Sequence, residues 1–291
     1  MKDQASGIDQ EQDWDIEVSS KSTVGRILPA DLWKYKDLLF LFVKRDLVTT
    51  YKQTILGPLW FLIQPVLTSI AFTIIFGRLA GIPTGGLPPL LFYLCGVTSW
   101  TYFSDCALRT SNTFVANAGI FSKVYFPRII VPLSVVISSL AKFGVQLLLL
   151  TGVIIWYQFH GIEINSFGGL LFLPMLIVLM AGLGLSVGML ISSLTTRFRD
   201  LQFLVGFGIQ LLMYLTPVVY PLSMVAPGSK MEFLIKLNPM TAVVETVRYS
   251  FLGGEFIGWA SLAYSAGFML VSLLLALWVF NRAQRTFMDT V

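Results

Sequence analysis

Charge is scarce in this chain. Asp, Glu, Lys and Arg make up 12% of its 291 residues, where a soluble domain carries about 25%. That little charge cannot cover a water-soluble globule, so that class is excluded. Histidine is scarcer still. The single copy, His160, falls in a loop and leaves most metal and acid–base schemes without residues. Cysteine occurs twice, as Cys95 and Cys106. On one helix that spacing is ~16 Å, too far for a disulfide. Nucleotide and catalytic signatures are missing as well. The sequence holds no G-x-x-x-x-G-K-[ST], no H-E-x-x-H and no C-x-x-C. After Gly57 the acidic residues are few and form no D-x-D pair. All of this weighs against an enzyme.

Apolar length is what the chain has instead. Hydrophobic residues reach 55% and the mean hydropathy is +0.75. The stretch Pro58–Phe76, PLWFLIQPVLTSIAFTIIF, contains no charged residue. About 20 such residues in a helix cross ~30 Å of hydrocarbon. Six segments of this kind predict spans at 58–79, 88–108, 129–157, 170–194, 201–220 and 259–280. The fold class is an all-α polytopic membrane protein with six transmembrane helices. The third span is long enough to tilt or protrude.

Residues 1–30 are acidic and polar at their start, with no apolar core of a signal peptide, and read as a disordered cytoplasmic tail. In 31–50, Leu32, Tyr35, Leu39 and Phe42 recur at helical spacing, with Lys34, Asp37, Lys44 and Arg45 mostly opposite. This predicts an amphipathic helix in the membrane interface; the plainer reading is a solvent-facing helix. The membrane domain then fills 51–291. With the N-terminus inside, fifteen basic residues fall on the inner side and four on the outer. That bias predicts both termini in the cytoplasm, and it explains the net charge of +4 without nucleic acid.

Between spans five and six, Pro217, Pro221, Pro227 and Pro239 interrupt an apolar segment. Proline breaks helices, and broken backbone at membrane depth must be buried or line a cavity. A re-entrant or broken-helix element on the outer side is expected; an external loop with amphipathic pieces is the alternative. Of the ionisable residues, Lys142 falls within span three and Asp105 at the end of span two. A structural pairing of the two is one reading, and a contact from Lys142 to a substrate phosphate is the other. Aromatics crowd the spans: Trp60, Phe61, Tyr93, Trp100, Tyr102, Phe103, Tyr214 and Tyr220 among them. Such faces can stack on sugar rings along a channel, or they can form ordinary interfacial belts.

Four stretches carry a family resemblance: YKQTILGPLWFLIQPVL at 51–67, NAGIFSKVYFPRIIVP at 117–132, TTRFRDLQFLV at 195–205, and the pair LTPVVYP at 215–221 with NPMTAVVETVRYSFLGG at 238–254. In their order and spacing around six spans, they resemble the permease subunit of ABC-2-type polysaccharide exporters. That class, of type V exporter-like fold, moves O-antigens, capsular polysaccharides and teichoic acids. The resemblance covers about 30–291.

It implies a homodimer in the bacterial inner membrane, with a channel between subunits. Two copies of a separate ABC ATPase would bind ATP and Mg, so this chain needs no cofactor or metal. The cargo would be a glycan on a polyprenyl diphosphate lipid. By position, Lys44, Arg45, Lys52, Leu56 and Gly57 would lie where that lipid enters. Ile120, Phe121, Lys123, Phe126, Pro127 and Arg128 would couple to the ATPase. Pro217, Pro221 and Pro239 would belong to an outer gate. A permease for another cargo (drug or small lipid) and a membrane enzyme acting on polyprenyl-linked sugars are the competing expectations.

Overall fold

The computed structural model describes residues 33–52, 57–121, 123–124, 126–162, 164, 168–195 and 200–288. The expected tail at 1–30 lies outside the described residues. Among those residues the chain is helical throughout, with no strand. Helix α1 is Lys36–Tyr51. A single 3-10 turn at Gly57–Leu59 leads into α2, Trp60–Phe72, which widens into a π-helix at Thr73–Leu79. Then come α3, Pro89–Ser111, and two one-turn helices, α4 (Thr113–Ala116) and α5 (Ala118–Phe121). Helix α6 is Ile130–Phe159 and α7 is Leu173–Thr195. Helix α8 is Leu201–Leu215, α9 Lys230–Leu237, α10 Pro239–Leu252 and α11 Trp259–Met288.

Local chemistry explains the boundaries. Pro89 and Pro239 occupy first turns, where a missing N–H breaks no bond. Ser229 and Asn238 cap α9 and α10 by accepting from the backbone N–H groups of Glu232 and Met240. Helix α8 stops at Leu215 because Thr216 is extended and Pro217 follows. It therefore ends short of the expected 220.

Among the described residues, four segments are long and apolar enough to cross a membrane: Trp60–Leu79, Ile130–Phe159, Leu170–Thr195 and Trp259–Ala283. The other two expected spans differ for separate reasons. At 15 residues, α8 is only ~22 Å long. Helix α3 has the length but carries Thr98, Ser99, Ser104, Asp105 and Arg109. It tolerates them because it is the central helix, packed against α2, α6, α7 and α10. Little of α3 is left to meet lipid.

Helix α7 lies close against α3 at two glycines. A Cβ on Gly184 would lie 2.6 Å from the Cys106 Cβ and 2.9 Å from the Phe103 carbonyl oxygen. One on Gly188 would lie 2.5 Å from the Thr110 Cβ and 2.7 Å from the Ala107 carbonyl oxygen. Small residues four apart allow backbones to touch, which is how helices associate where no hydrophobic drive exists. On its other side α7 meets α11, where the Met269 side chain fills the space beside Gly182.

Helix α1 lies along α6. Phe42 and Val43 are buried, with Tyr35, Leu38 and Leu39 half-buried beside them. Trp33, Phe40 and Leu41 stay exposed. A second apolar strip facing away from the packed one suits a helix lying in a membrane surface. The first turns of the ~45 Å α6 run beside α1. Lys142 consequently lies next to Phe61, the second residue of α2. The sequence position suggested mid-span; the structure puts Lys142 level with the start of α2.

Replacing Gly188 by Ala is expected to destabilise the fold by about 1–3 kcal/mol, because the new methyl meets backbone. Gly144→Ala, where nothing lies within 4 Å of the added carbon, should leave stability unchanged. Thermal unfolding in detergent checks both.

Candidate functional site

Polar side chains collect at the end of the bundle that carries α1. Asp105 of α3 and Lys142 of α6 form an ion pair of 2.7 Å, which is the pairing expected from sequence. One turn along α3, Arg109 reaches Ser138 and Ser139 on α6 at 3.3 and 3.4 Å and Asp46 of α1 at 3.8 Å. Asp46 also receives Arg45 at 2.8 Å, and Arg45 donates to the Asn117 side chain at 3.3 Å. The result is a seam of alternating charge joining α1, α3 and α6.

Helix α2 is tied into this seam by a proline. Pro65 has no N–H, so the Phe61 carbonyl lacks its partner four residues on. The Gln146 side chain of α6 donates to that carbonyl at 3.2 Å instead. The Lys142 ammonium lies 5.7 Å from the Phe61 ring. Just before it, Gly57 adopts a φ of +51°, which lets the chain turn from α1 into α2. Of the residues expected around the incoming lipid, Arg45 joins the seam, Lys44 and Lys52 are exposed, and Gly57 makes the turn. Leu56 lies outside the described residues.

Beside the seam, a second apolar cluster gathers Phe42, Phe114, Phe121, Phe126, Ile129 and Phe280. Arg128 lies over the Phe121 ring at 5.3 Å, and burial pulls its guanidinium below the usual arginine range. Phe121, Phe126 and Arg128 thus hold the expected coupling segment to the bundle. Lys123 and Val124 form the exposed tip, with Ile120 and Pro127 half-buried beside it.

At the opposite end, the chain after α8 is pinned by a charge. Arg248 of α10 donates to the Pro217 carbonyl at 2.8 Å and pairs with Glu245 at 2.9 Å. Its guanidinium lies 3.8 Å from the centre of the Phe92 ring on α3. Glu245 also accepts from the Leu222 N–H at 3.3 Å. Gly96 keeps this contact close, since an added Cβ would meet Val218 at 3.1 Å. Pro217 and Pro221 are buried here, and Pro239 begins α10. The broken element is therefore packed within the bundle. Exposed on it is α9, with Met231, Phe233 and Leu234 outward. There Lys236 pairs with Glu232 at 2.6 Å. That bond, with the Gly228 N–H, holds the Glu232 carboxyl below the usual carboxylate range.

A family model described as ABC-2 type transporter matches residues 37–252. The chain belongs to the ABC-2 type transporter family. Similar proteins include the O-antigen export system permease protein RfbA of Klebsiella pneumoniae, 30% identical over 87% of this chain and 94% of that protein. The polysialic acid transport protein KpsM of Escherichia coli is 26% identical over 87% of this chain and 95% of its own length. The inner membrane transport permease YadH of Escherichia coli is 26% identical over 66% of this chain and 75% of its own.

Within this ABC-2 subunit, the expected sugar-stacking aromatics divide. Tyr93, Trp100, Tyr102 and Phe103 are buried inside the subunit. Tyr102 stacks on Phe143 at 4.8 Å, Trp100 packs on Phe103 at 5.1 Å, and Tyr93 meets Phe92 edge-on at 5.3 Å. They fill gaps around the central helix. Trp60 and Tyr214 are exposed, and Phe61 and Tyr220 half-buried. On the α1-end half of α3, Thr101, Ser104, Asp105 and Leu108 form a half-exposed stripe that sequence reasoning passed over. It also passed over the Glu245–Arg248 tie and the Pro65–Gln146 link. The signals were present: an acid and a base three residues apart on a helix, and a proline within an apolar run.

Arg248→Met should strand the Glu245 carboxylate in a largely buried position and cost about 3–5 kcal/mol. Lys236→Met, at the exposed pair on α9, should leave the melting temperature unchanged. Thermal unfolding of the two variants side by side is the check.

Proposed function

We infer that this chain is the membrane subunit of an ATP-driven exporter of lipid-linked polysaccharide, with an O-antigen-like glycan as cargo. Members of the family work with ABC ATPase partners. The observation that carries the cargo is the similarity, over most of the chain, to relatives named for O-antigen export in two organisms, at 24–30% identity. The relative named for polysialic acid transport supports polysaccharide as the broader class.

In this reading two copies form the channel, each crossing the bacterial inner membrane six times with both termini in the cytoplasm. Helices α3 and α8 complete the six. Two copies of a separate ATPase bind ATP and Mg and dock at the α1 end, where Lys123 and Val124 offer an apolar knob with a basic flank. A polyprenyl diphosphate carries the glycan into the site beside Gly57, among Lys44, Arg45 and Lys52. Trp60, Phe61, Tyr214 and Tyr220 are the aromatics with a face open to it. The Pro217–Pro239 element closes the outer end until the cargo passes. A permease for another cargo is the second reading, favoured by the match to the transport permease YadH over a smaller share of the chain.

Purification of the tagged chain from native membranes should bring down an ABC ATPase in equal amount. The pair, reconstituted with lipid-linked glycan, should translocate it only with ATP. Recovery of the chain alone, acting on a lipid-linked sugar without ATP, would overturn the exporter reading. Val124→Asp should weaken ATPase docking by about ten-fold or more, with the melting temperature unchanged. Docking equal to wild type would remove this tip from the interface.

A further inference from the structure

The Asp105–Lys142 pair is energetically awkward for a purely structural contact. It sits between membrane helices, with side chains 24% and 19% exposed. Removing two charges from water is costly, and an apolar pair of similar size serves packing as well or better. Ionisable residues among membrane helices mark the paths of ions and charged substrates.

The pair is also incompletely bonded. An ammonium has three donors, and among the described residues Lys142 donates only to Asp105. Its other neighbour is the Phe61 ring. Arg109, four residues along α3, reaches Ser138, Ser139 and Asp46 at 3.3, 3.4 and 3.8 Å. Among the described residues, three cations, Arg45, Arg109 and Lys142, thus face two carboxylates, Asp46 and Asp105, and the Lys142 ammonium has donors to spare.

The first turn of α2 lies beside Lys142. It follows the left-handed Gly57, and its Phe61 carbonyl accepts from the Gln146 side chain, because Pro65 cannot supply the backbone bond.

We propose that Lys142 binds a phosphate group of a lipid-linked diphosphate, and that Asp105 is its exchangeable counter-ion. This rests on the cargo reading above and assigns the residue that meets the diphosphate. With the site empty, Asp105 neutralises Lys142. An arriving diphosphate displaces the carboxylate, gains a charge-assisted bond to the ammonium, and lies one helical turn from Arg109. The carboxylate then repels the bound phosphate, so the cargo is held without being trapped.

The test is binding of undecaprenyl diphosphate to the full chain with its ATPase partner, reconstituted in phosphatidylcholine nanodiscs and read by native mass spectrometry. Asp105→Asn keeps a hydrogen-bonding group beside Lys142 but frees its charge, and should tighten binding several-fold. Lys142→Gln should weaken it about ten-fold, the loss of one charged hydrogen bond. The double variant should match Lys142→Gln. If both single variants bind as wild type does while their melting temperatures shift, the pair is structural and the proposal fails. If phosphatidylglycerol competes equally with the diphosphate and responds to the same variants, the site takes ordinary lipid headgroups and the diphosphate assignment fails. If wild type itself binds no undecaprenyl diphosphate, the cargo reading fails, and this proposal with it.

Discussion

Gly184 and Gly188 bring the backbone of α7 against that of α3, closer than any side chain would allow. In lipid, where apolar surfaces gain nothing by leaving solvent, such close contact is a main source of helix association. With α7 seated there, α2, α6 and α10 enclose the rest of α3. Enclosure then decides the helix's chemistry. Thr98, Ser99 and Thr110 face protein, Asp105 pairs with Lys142, and the large aromatics fill the gaps between helices. Position on the central helix therefore places Tyr93, Trp100, Tyr102 and Phe103 in the core of the subunit.

The two ends of the bundle use charge in opposite ways. At the α9 end, the Arg248 side chain is 5% exposed and its bonds go to the Pro217 carbonyl and Glu245. A tie so dry holds the broken segment to α3 and α10. At the α1 end, the seam is half-open, the Arg109 contacts are 3.3 Å or longer, and among the described residues cations outnumber carboxylates. Such an arrangement is poorly suited to stability and well suited to an anionic ligand. The same helix, α3, carries Phe92 and Gly96 at one tie and Asp105 and Arg109 at the other, so motion at either end is referred to one rigid element.

Several features were legible before any coordinates. The Lys142–Asp105 pair could be anticipated because two ionisable groups in apolar surroundings need each other. The break after α8 followed from Pro217 and Pro221. The depth of Lys142 could not be read, because it depends on how far α6 protrudes alongside α1. Nor could the role of Phe121 and Phe126. An aromatic beside a basic residue reads alike whether it knobs into a partner or, as here, into its own helices.

Sequence by itself determined that the chain lives in lipid, where its helices run, and which family it resembles. Each of those depends on runs of residue type and order along the chain, which are local quantities. Tertiary structure alone decided which faces are inside. A helix in lipid is apolar on both its lipid-facing and protein-facing sides, so hydropathy cannot separate them. Only the glycine contact that seats α7 on α3 assigns each aromatic to core or surface, and each charge to a tie or to an open site.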